Sequence, residues 1–221
     1  VKTKARYLGA ILTPNGNCYH DVTARIQKAH KHFKSLQQFW RGLGLSLRWR
    51  LRVFHSIFVP MLMFGMETAS LTAIDIARLD STYHTLLRRV HRIPSTYYTK
   101  VLDPTKTTVS NSDLDPQSHF IRTLTQRRVS VAFHLLALPQ SNLQRDCCLT
   151  AAFTFRDLKG PRRIGRPRTQ WMPEVFKAAY KGYFPDKVYQ YPGALLDLKR
   201  EVQRTGTVSY THLRAHETTT N

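Results

Sequence analysis

The chain has 221 residues, and its apolar fraction of 42% is that of an ordinary globular protein, which argues against a wholly disordered chain. Its 34 Lys and Arg stand against 14 Asp and Glu, a formal net charge of +20 that favours a polyanionic partner such as nucleic acid. The three cysteines lack the spacing of a zinc site or a disulfide framework, and the most apolar stretch, 53–66, is shorter than the roughly 20 residues of a membrane span. These features predict an intracellular protein without a transmembrane helix, and a first residue other than Met predicts that the chain begins inside a longer reading frame.

The N-terminal segment predicts a strand followed by an amphipathic helix. The run 6–13 is β-like and ends at a Pro-Asn-Gly turn, and Asp21 is placed to cap the helix that follows. Apolar residues then recur at alternating steps of three and four, which predicts one buried face: Ile26, Ala29, Phe33, Leu36 and Trp40. The other faces are expected to carry cations: Arg25, Lys28, Lys31 and Lys34.

Two further helices are predicted before residue 94. Ser46 can cap the first, from Leu47 to about Met66, which Pro60 should kink or break. Its expected inward residues are Leu47, Leu51, Phe54, Ile57 or Phe58, and Met61. Thr72 and Asp75 form a capping box that opens the second helix, and a proline at position 94 stops it. Its apolar residues keep the helical rhythm: Ile76, Leu79, Tyr83, Leu86, Val90 and Ile93.

The downstream half predicts a linker and a second, smaller helical module. Polar residues dominate 94–116, and Pro116 suits the first turn of a helix that reaches about residue 138. A weaker helix over 143–158, an extended basic loop over 159–168 and short helices near 173–181 and 194–203 follow. The tail 208–218 resembles a translated sequencing adaptor, so we exclude it from fold and function and expect the true C-terminus to be missing.

Catalytic and metal-binding patterns are missing from the sequence. No carboxylates are grouped as polymerase, nuclease or glycosidase chemistry requires, and Asp113 and Asp115 are interpreted as turn residues. His84 and His91 share a helical face but have no third ligand nearby, so we assign neither a metal site nor a catalytic residue. Phosphate-binding GxxxxGK loops and GxSxG turns are likewise not present in the sequence.

Basic residues are the most informative feature. Between Val22 and Met66 the sequence contains no Asp or Glu, whereas solvated faces usually mix both signs. The basic residues there are the expected nucleic-acid contacts: Arg25, Lys28, Lys31, Lys34, Arg41, Arg48, Arg50 and Arg52. Such residues would meet phosphates, which sets affinity and salt dependence without reading base sequence.

A second basic region contains Gly165-Arg166-Pro167 between Arg163 and Arg168. This tripeptide is the core of an AT-hook, a flexible segment that lies in narrow A·T minor grooves. The alternative interpretation is a generic basic loop. We include Arg163, Arg166 and Arg168 among the candidate nucleic-acid contacts.

Taken in order, several segments resemble the end of the reverse transcriptase domain of LINE-like, non-LTR retrotransposons. Tyr7-Leu8-Gly9 corresponds to the strand that closes the palm, and the basic segment 25–29 (RIQKA) is similar to the first thumb helix. The apolar helix with a central proline, followed by Phe64-Gly65-x-Glu67-Thr68, and the segment 87–90 (LRRV) match the family's next motifs. Farther on, Arg127-Arg128 with His134 and Pro139, and the segment 165–168 with Trp171, correspond to its downstream motifs.

The resemblance implies a mainly α fold with an N-terminal β remnant. It implies the end of a palm (1–20), a three-helix thumb (21–94), a linker (95–116), a basic helical region (117–207) and the adaptor-derived tail (208–221). The family's catalytic aspartates and their Mg²⁺ would lie upstream, so this segment would hold no cofactor and no small-molecule substrate. Its partners would be RNA and DNA, in the form of a template–primer duplex. The protein would act in the nucleus or cytoplasm of a eukaryote. Residues 132–134 (AFH) and Leu138 depart from the family pattern. Rival hypotheses are a free-standing basic DNA-binding protein with an AT-hook-like loop and a decayed pseudogene product.

Overall fold

The structure is a computed structural model, and it describes residues 4–7, 9–13, 17–42, 44–95, 109–117, 119–138, 142–143, 171–184, 186–187, 197–198 and 200. These residues are mainly helical with a short N-terminal antiparallel hairpin, which confirms the predicted fold class. The strands are β1 (Ala5–Tyr7) and β2 (Ala10–Leu12). The helices are α1 (Tyr19–Ser35), α2 (Gln37–Arg41), α3 (Leu47–Met63), α4 (Ala73–His91), α5 (Asn111–Leu114), α6 (His119–Ala137) and α7 (Trp171–Tyr183).

The N-terminal β segment is a hairpin, so the prediction of one continuous strand over 6–13 was wrong. Ala5 pairs with Leu12 and Tyr7 pairs with Ala10 across the two strands. The chain reverses at Gly9, whose φ of +85° lies in the left-handed region that side chains disfavour. A glycine inside an apolar run is therefore the signal for the turn.

Helices α1, α3 and α4 pack against one another around a single core. Phe33 of α1 lies 5.5 Å from Phe58 of α3 between ring centroids, whereas Arg25 lies over Phe64, so α1 and α3 run in opposite directions. The core combines residues of these helices with one from α2 and two from α6: Val22, Ala29, Phe33, Trp40, Phe54, Phe58, Leu62, Leu79, Tyr83, Leu86, Val90, Phe120 and Leu124. The predicted apolar rhythms of α1 and α4 are thus confirmed.

Helix boundaries follow the predicted caps in two cases and depart from them in one. The Ser46 hydroxyl accepts the amide of Trp49, and Thr72 with Asp75 forms the predicted capping box. Helix α1 instead begins at Tyr19, whose amide donates to the Asn17 side chain at 2.7 Å. Asp21 lies inside the first turn and is not the cap, because its carboxylate is engaged elsewhere.

Helix α3 continues through Pro60, which corrects the expectation of a kink or break there. The amide that proline lacks would have bonded the carbonyl of Ser56, and both side chains are exposed. Because this side of the helix faces solvent, water can satisfy that carbonyl. Leu47, expected to be inward, is 39% exposed at the start of the helix, whereas Phe58 is fully buried.

The chain divides into two compact units, 1–124 and 125–221. The second unit contains the rest of α6 and the helix α7, which confirms the helix predicted near 173–181. Its buried residues include Val129, Phe133, Val175, Phe176 and Tyr180. Most of the predicted helices over 143–158 and near 194–203, all of the loop 159–168 and the tail 208–218 lie outside the described residues.

Candidate nucleic-acid interface

Arg25 is buried against an acid, which corrects its expected place on an outer face of α1. Its Nε donates to Asp21 Oδ2 at 3.1 Å and its Nη2 to the same oxygen at 3.0 Å, and the residue is only 7% exposed. Arg25 stands three residues after Val22 and four before Ala29, which is the spacing of the buried face. This position was the signal that Arg25 belongs inside.

The Asp21–Arg25 pair also joins the hairpin to the bundle. Asp21 Oδ1 accepts the amide of Ile11 in β2 at 3.1 Å, and the Arg25 guanidinium lies 5.1 Å from the centre of the Phe64 ring. A side chain at Gly9 would begin 3.4 Å from that ring. Three segments that carry the family resemblance, 7–9, 25–29 and 64–68, therefore meet at this pair.

Arg50 likewise has a structural role that its sequence did not reveal. Its Nη1 donates to the carbonyl of Val90 at 2.8 Å, near the end of α4, and the residue is half-buried. A cation at this place stabilises the negative end of the helix dipole. Arg25 and Arg50 therefore stabilise the fold, and we do not count them among the exposed candidate contacts to nucleic acid.

Three further acids of the first unit also bond or cap helices of the bundle. Asp75 is buried at the start of α4, and Asp115 is buried beside α6, where its Oδ2 accepts the amide of His119 at 2.8 Å. Asp80 bonds His84, and this bond raises the pKa of that imidazole. Asp75 and Asp115 are thus buried in the first unit, as Asp21 is.

The three lysines in the second half of α1 face outward. Lys28, Lys31 and Lys34 are exposed and lie at steps of three residues, so they form one stripe on the side away from the core. Arg41 at the end of α2 is exposed as well. Among the described residues, none of the three lysines has a carboxylate within 4 Å.

Helix α3 adds two exposed cations and an aromatic ring. Arg48 and Arg52 are exposed, as predicted for interface residues. Trp49 follows Arg48 in the chain and is 57% exposed, and the Arg52 guanidinium lies 5.6 Å from its ring centroid. This end of α3 therefore presents positive charge beside an open aromatic surface.

Two exposed arginines at the C-terminal end of α4 were not among the predicted contacts. Arg89 is exposed while Arg88 is buried and donates to Asn111 at 2.9 Å. Arg89 lies close enough to α1 to lower the pKa of His30, a shift to which burial of the imidazole contributes most. Arg92, just after α4, is exposed and donates to the carbonyl of Arg41 at 3.4 Å, so it extends the positive surface toward α2. A consecutive pair of arginines was visible in the sequence, but which one faces outward depends on the packing of α4.

The exposed cations on and just after helices α1 to α4 form the candidate interface, which we call the cationic surface: Lys28, Lys31, Lys34, Arg41, Arg48, Arg52, Arg89 and Arg92. The remaining predicted contacts, Arg163, Arg166 and Arg168, lie outside the described residues. In the part of the chain that the structure describes, three or more metal-ligating side chains are nowhere grouped around a common point. No described helix combines the length and apolarity needed to cross a membrane.

Comparison with protein-family models, curated proteins and solved structures finds no match to this chain. Function must therefore be argued from the distribution of charge and from the sequence motifs. Both point to the same helices, α1, α3 and α4.

Proposed function

We propose that this chain is the thumb and downstream region of a retrotransposon RNA-directed DNA polymerase, and that it binds the template–primer duplex through its phosphates. In this role the cationic surface holds the duplex, while the catalytic aspartates and their Mg²⁺ belong to a palm outside this chain. The chain by itself then contributes binding and no chemistry.

The observation that carries the proposal is the separation of charge within the bundle. Asp21, Asp75 and Asp115 are buried, whereas Lys28, Lys31 and other cations remain on the outside. Exposed surfaces of ordinary proteins mix both signs, because unbalanced charge destabilises a compact chain. A polyanion that lies against the surface offsets this repulsion, and its displaced counterions add to the affinity.

The motif segments give separate support. The Asp21–Arg25 pair, Phe64 and Gly9 bring together the three parts of the sequence that most resemble the family. This contact fixes the hairpin against α1. In the proposed function the hairpin belongs to the palm, so the contact also sets the position of the three α1 lysines relative to the palm. The same residues would have no such shared role in a free-standing AT-hook protein, whose affinity would lie in the loop 163–168.

The test is binding of the full chain to a short blunt RNA–DNA hybrid. In the variant Lys28→Gln/Lys31→Gln/Lys34→Gln the stripe loses its charge but keeps its helix propensity, so the fold should survive. Affinity at about 0.1 M salt should fall on the order of 10- to 100-fold, because three phosphate contacts are lost.

The matched control removes the same charge from the second unit. Lys177, Lys181 and Lys187 are exposed on or just after α7, and changing all three to Gln should leave affinity within about threefold of wild type if they make no phosphate contact. Equal losses in the two variants would mean that net charge alone drives binding, which contradicts the proposal. The variant Arg166→Ala tests the alternative that the chain binds DNA through an AT-hook. Loss of binding from this change alone would favour that alternative.

A further inference from the structure

Two tryptophans of the first unit lie close in sequence and have opposite environments. Trp40 is 5% exposed, stacks on Phe33 with ring centroids 4.9 Å apart, and donates from Nε1 to the Phe33 carbonyl at 3.1 Å. Trp49 is 57% exposed; its backbone amide donates to the Ser46 cap, and its ring contacts the Arg52 side chain. Packing accounts for Trp40 and leaves Trp49 unexplained.

The position of Trp49 on α3 keeps it away from the core. At about 100° per residue, it lies roughly 160° around the helix from the midpoint between Phe54 and Phe58. Both phenylalanines are fully buried, so the indole points away from the core that they form. Leaving so large an apolar side chain in water forgoes much of its favourable burial, which suggests that a ligand covers it.

The neighbours of Trp49 indicate what kind of ligand this is. Arg52 lies over its ring at 5.6 Å, and Arg48 is the exposed residue before it. The sequence 22–66 contains no acid, so no carboxylate close in sequence would repel an anion at Trp49. A flat ring beside two cations suits a nucleotide whose base is free to stack, because aromatic side chains bind base faces while Lys and Arg meet the phosphates.

We propose that Trp49, together with Arg52, stacks an unpaired nucleobase, and that Arg48 meets the adjoining phosphate. This inference rests on the proposed nucleic-acid function and adds to it a single-stranded subsite at the start of α3. Bases inside a duplex are stacked on one another and cannot occupy the site, so the ligand is an overhang or single-stranded segment of DNA or RNA. The site would read no base identity, because every base has a π face.

The test compares overhangs that differ only in their bases. One probe is an RNA–DNA hybrid with a single-stranded DNA overhang, a second has the same overhang with abasic sugars, and a third has a single-stranded RNA overhang. The full wild-type chain should bind the base-bearing overhangs about 5- to 100-fold more tightly than the abasic one. This comparison needs no variant, so it does not depend on whether a substitution disturbs the fold.

Variants then locate the site. Trp49→Ala should remove the preference for bases, leave affinity for the abasic probe unchanged and leave the salt dependence unchanged, because the indole carries no charge. Trp49→Phe should keep most of the preference. The matched control is Leu47→Ala, which shortens another exposed apolar side chain of the same helix and should have no effect.

The outcomes separate this inference from the proposed function. Wild-type binding that is equal for base-bearing and abasic probes, or a preference that survives Trp49→Ala, overturns the stacking site and leaves the phosphate-binding surface standing. A wild-type chain that binds none of the probes overturns the proposed function and the stacking site together. A preference for bases that depends on the ring at position 49 supports both.

Discussion

Two regions of the first unit contain basic residues and use them in different ways. Near the hairpin, Arg25 is enclosed by Asp21 and Phe64, and it connects segments that are far apart in sequence. On the outer face of α1, Lys28 and Lys31 project into solvent without an acid within ion-pair distance in the described part of the chain. Charge in the first region stabilises the fold, whereas charge in the second is available to a ligand.

The difference follows from helical geometry combined with pairing. Arg25 shares the spacing of Val22 and Ala29, so it must lie beside the core, and a buried guanidinium needs a partner. Asp21 is one turn earlier and supplies that partner. Lysines at 28, 31 and 34 rotate away from the core, where solvent already satisfies them. Stability and binding should therefore respond to different substitutions.

The largest expected effect on stability is that of Arg25→Met. Removing the guanidinium leaves the Asp21 carboxylate buried without its cation, which costs about 3–5 kcal/mol of unfolding free energy. Urea unfolding of the full chain measures this loss. Lys28→Met, an exposed change three residues away, should stay within about 0.5 kcal/mol of wild type.

Replacing both partners sharpens the test of Arg25. The double variant Asp21→Asn/Arg25→Met should recover part of the lost stability, because no unpaired charge remains inside. An unfolding midpoint for Arg25→Met equal to that of wild type would contradict the claim that this arginine stabilises the fold.

A smaller effect should appear in the pH dependence of stability. Burial lowers the pKa of His55, with a further contribution from His119 stacked 4.7 Å away, so the folded state resists a proton that the unfolded state accepts near pH 6.5. The stability that neutral His55 contributes is therefore present above about pH 6.5 and is lost as the pH falls toward the lowered pKa.

His84 has the opposite pH dependence. The Asp80 hydrogen bond raises the pKa of His84, so its contribution to stability is present below about pH 6.5 and is lost as the pH rises through the raised pKa.

Urea midpoints between pH 5 and pH 8 distinguish these two histidines. His55→Gln should reduce the loss of stability on the acid side, and His84→Gln should reduce the loss on the alkaline side. Unchanged pH profiles in both variants would mean that neither imidazole is coupled to folding.

Local features of the fold were predictable from sequence because their causes are local. The Thr72–Asp75 capping box lies within four residues, and the apolar rhythm of α4 depends only on helical periodicity. The hairpin was missed because the apolar run 6–13 hid the turn at Gly9. The effect of Pro60 was not predictable from sequence, because the free energy that a proline costs inside a helix depends on whether the freed carbonyl faces water.

The candidate site was predictable only in part, since exposure is a tertiary property. Lys28 and Lys31 were assigned correctly to an outer face, but Arg50 reaches a carbonyl 40 residues away, which no spacing rule reveals. Arg89 joins the surface through the packing of α4 against α1, and Arg92 through its bond to the carbonyl of Arg41. The sequence could identify the basic helices, but it could not separate the structural cations from the exposed ones.

In the proposed function, exposed cations of α1 and its neighbours bind nucleic-acid phosphates. The most direct test is the salt dependence of binding to a blunt RNA–DNA hybrid. If about five to eight cations meet phosphates, log K against log salt should have a slope of roughly −4 to −7 for wild type. The Lys28→Gln/Lys31→Gln/Lys34→Gln variant should have a slope shallower by about 2 to 3, while the variant changed at Lys177, Lys181 and Lys187 keeps the wild-type slope. A flat wild-type slope, or an unchanged slope in the α1 variant, would contradict the account.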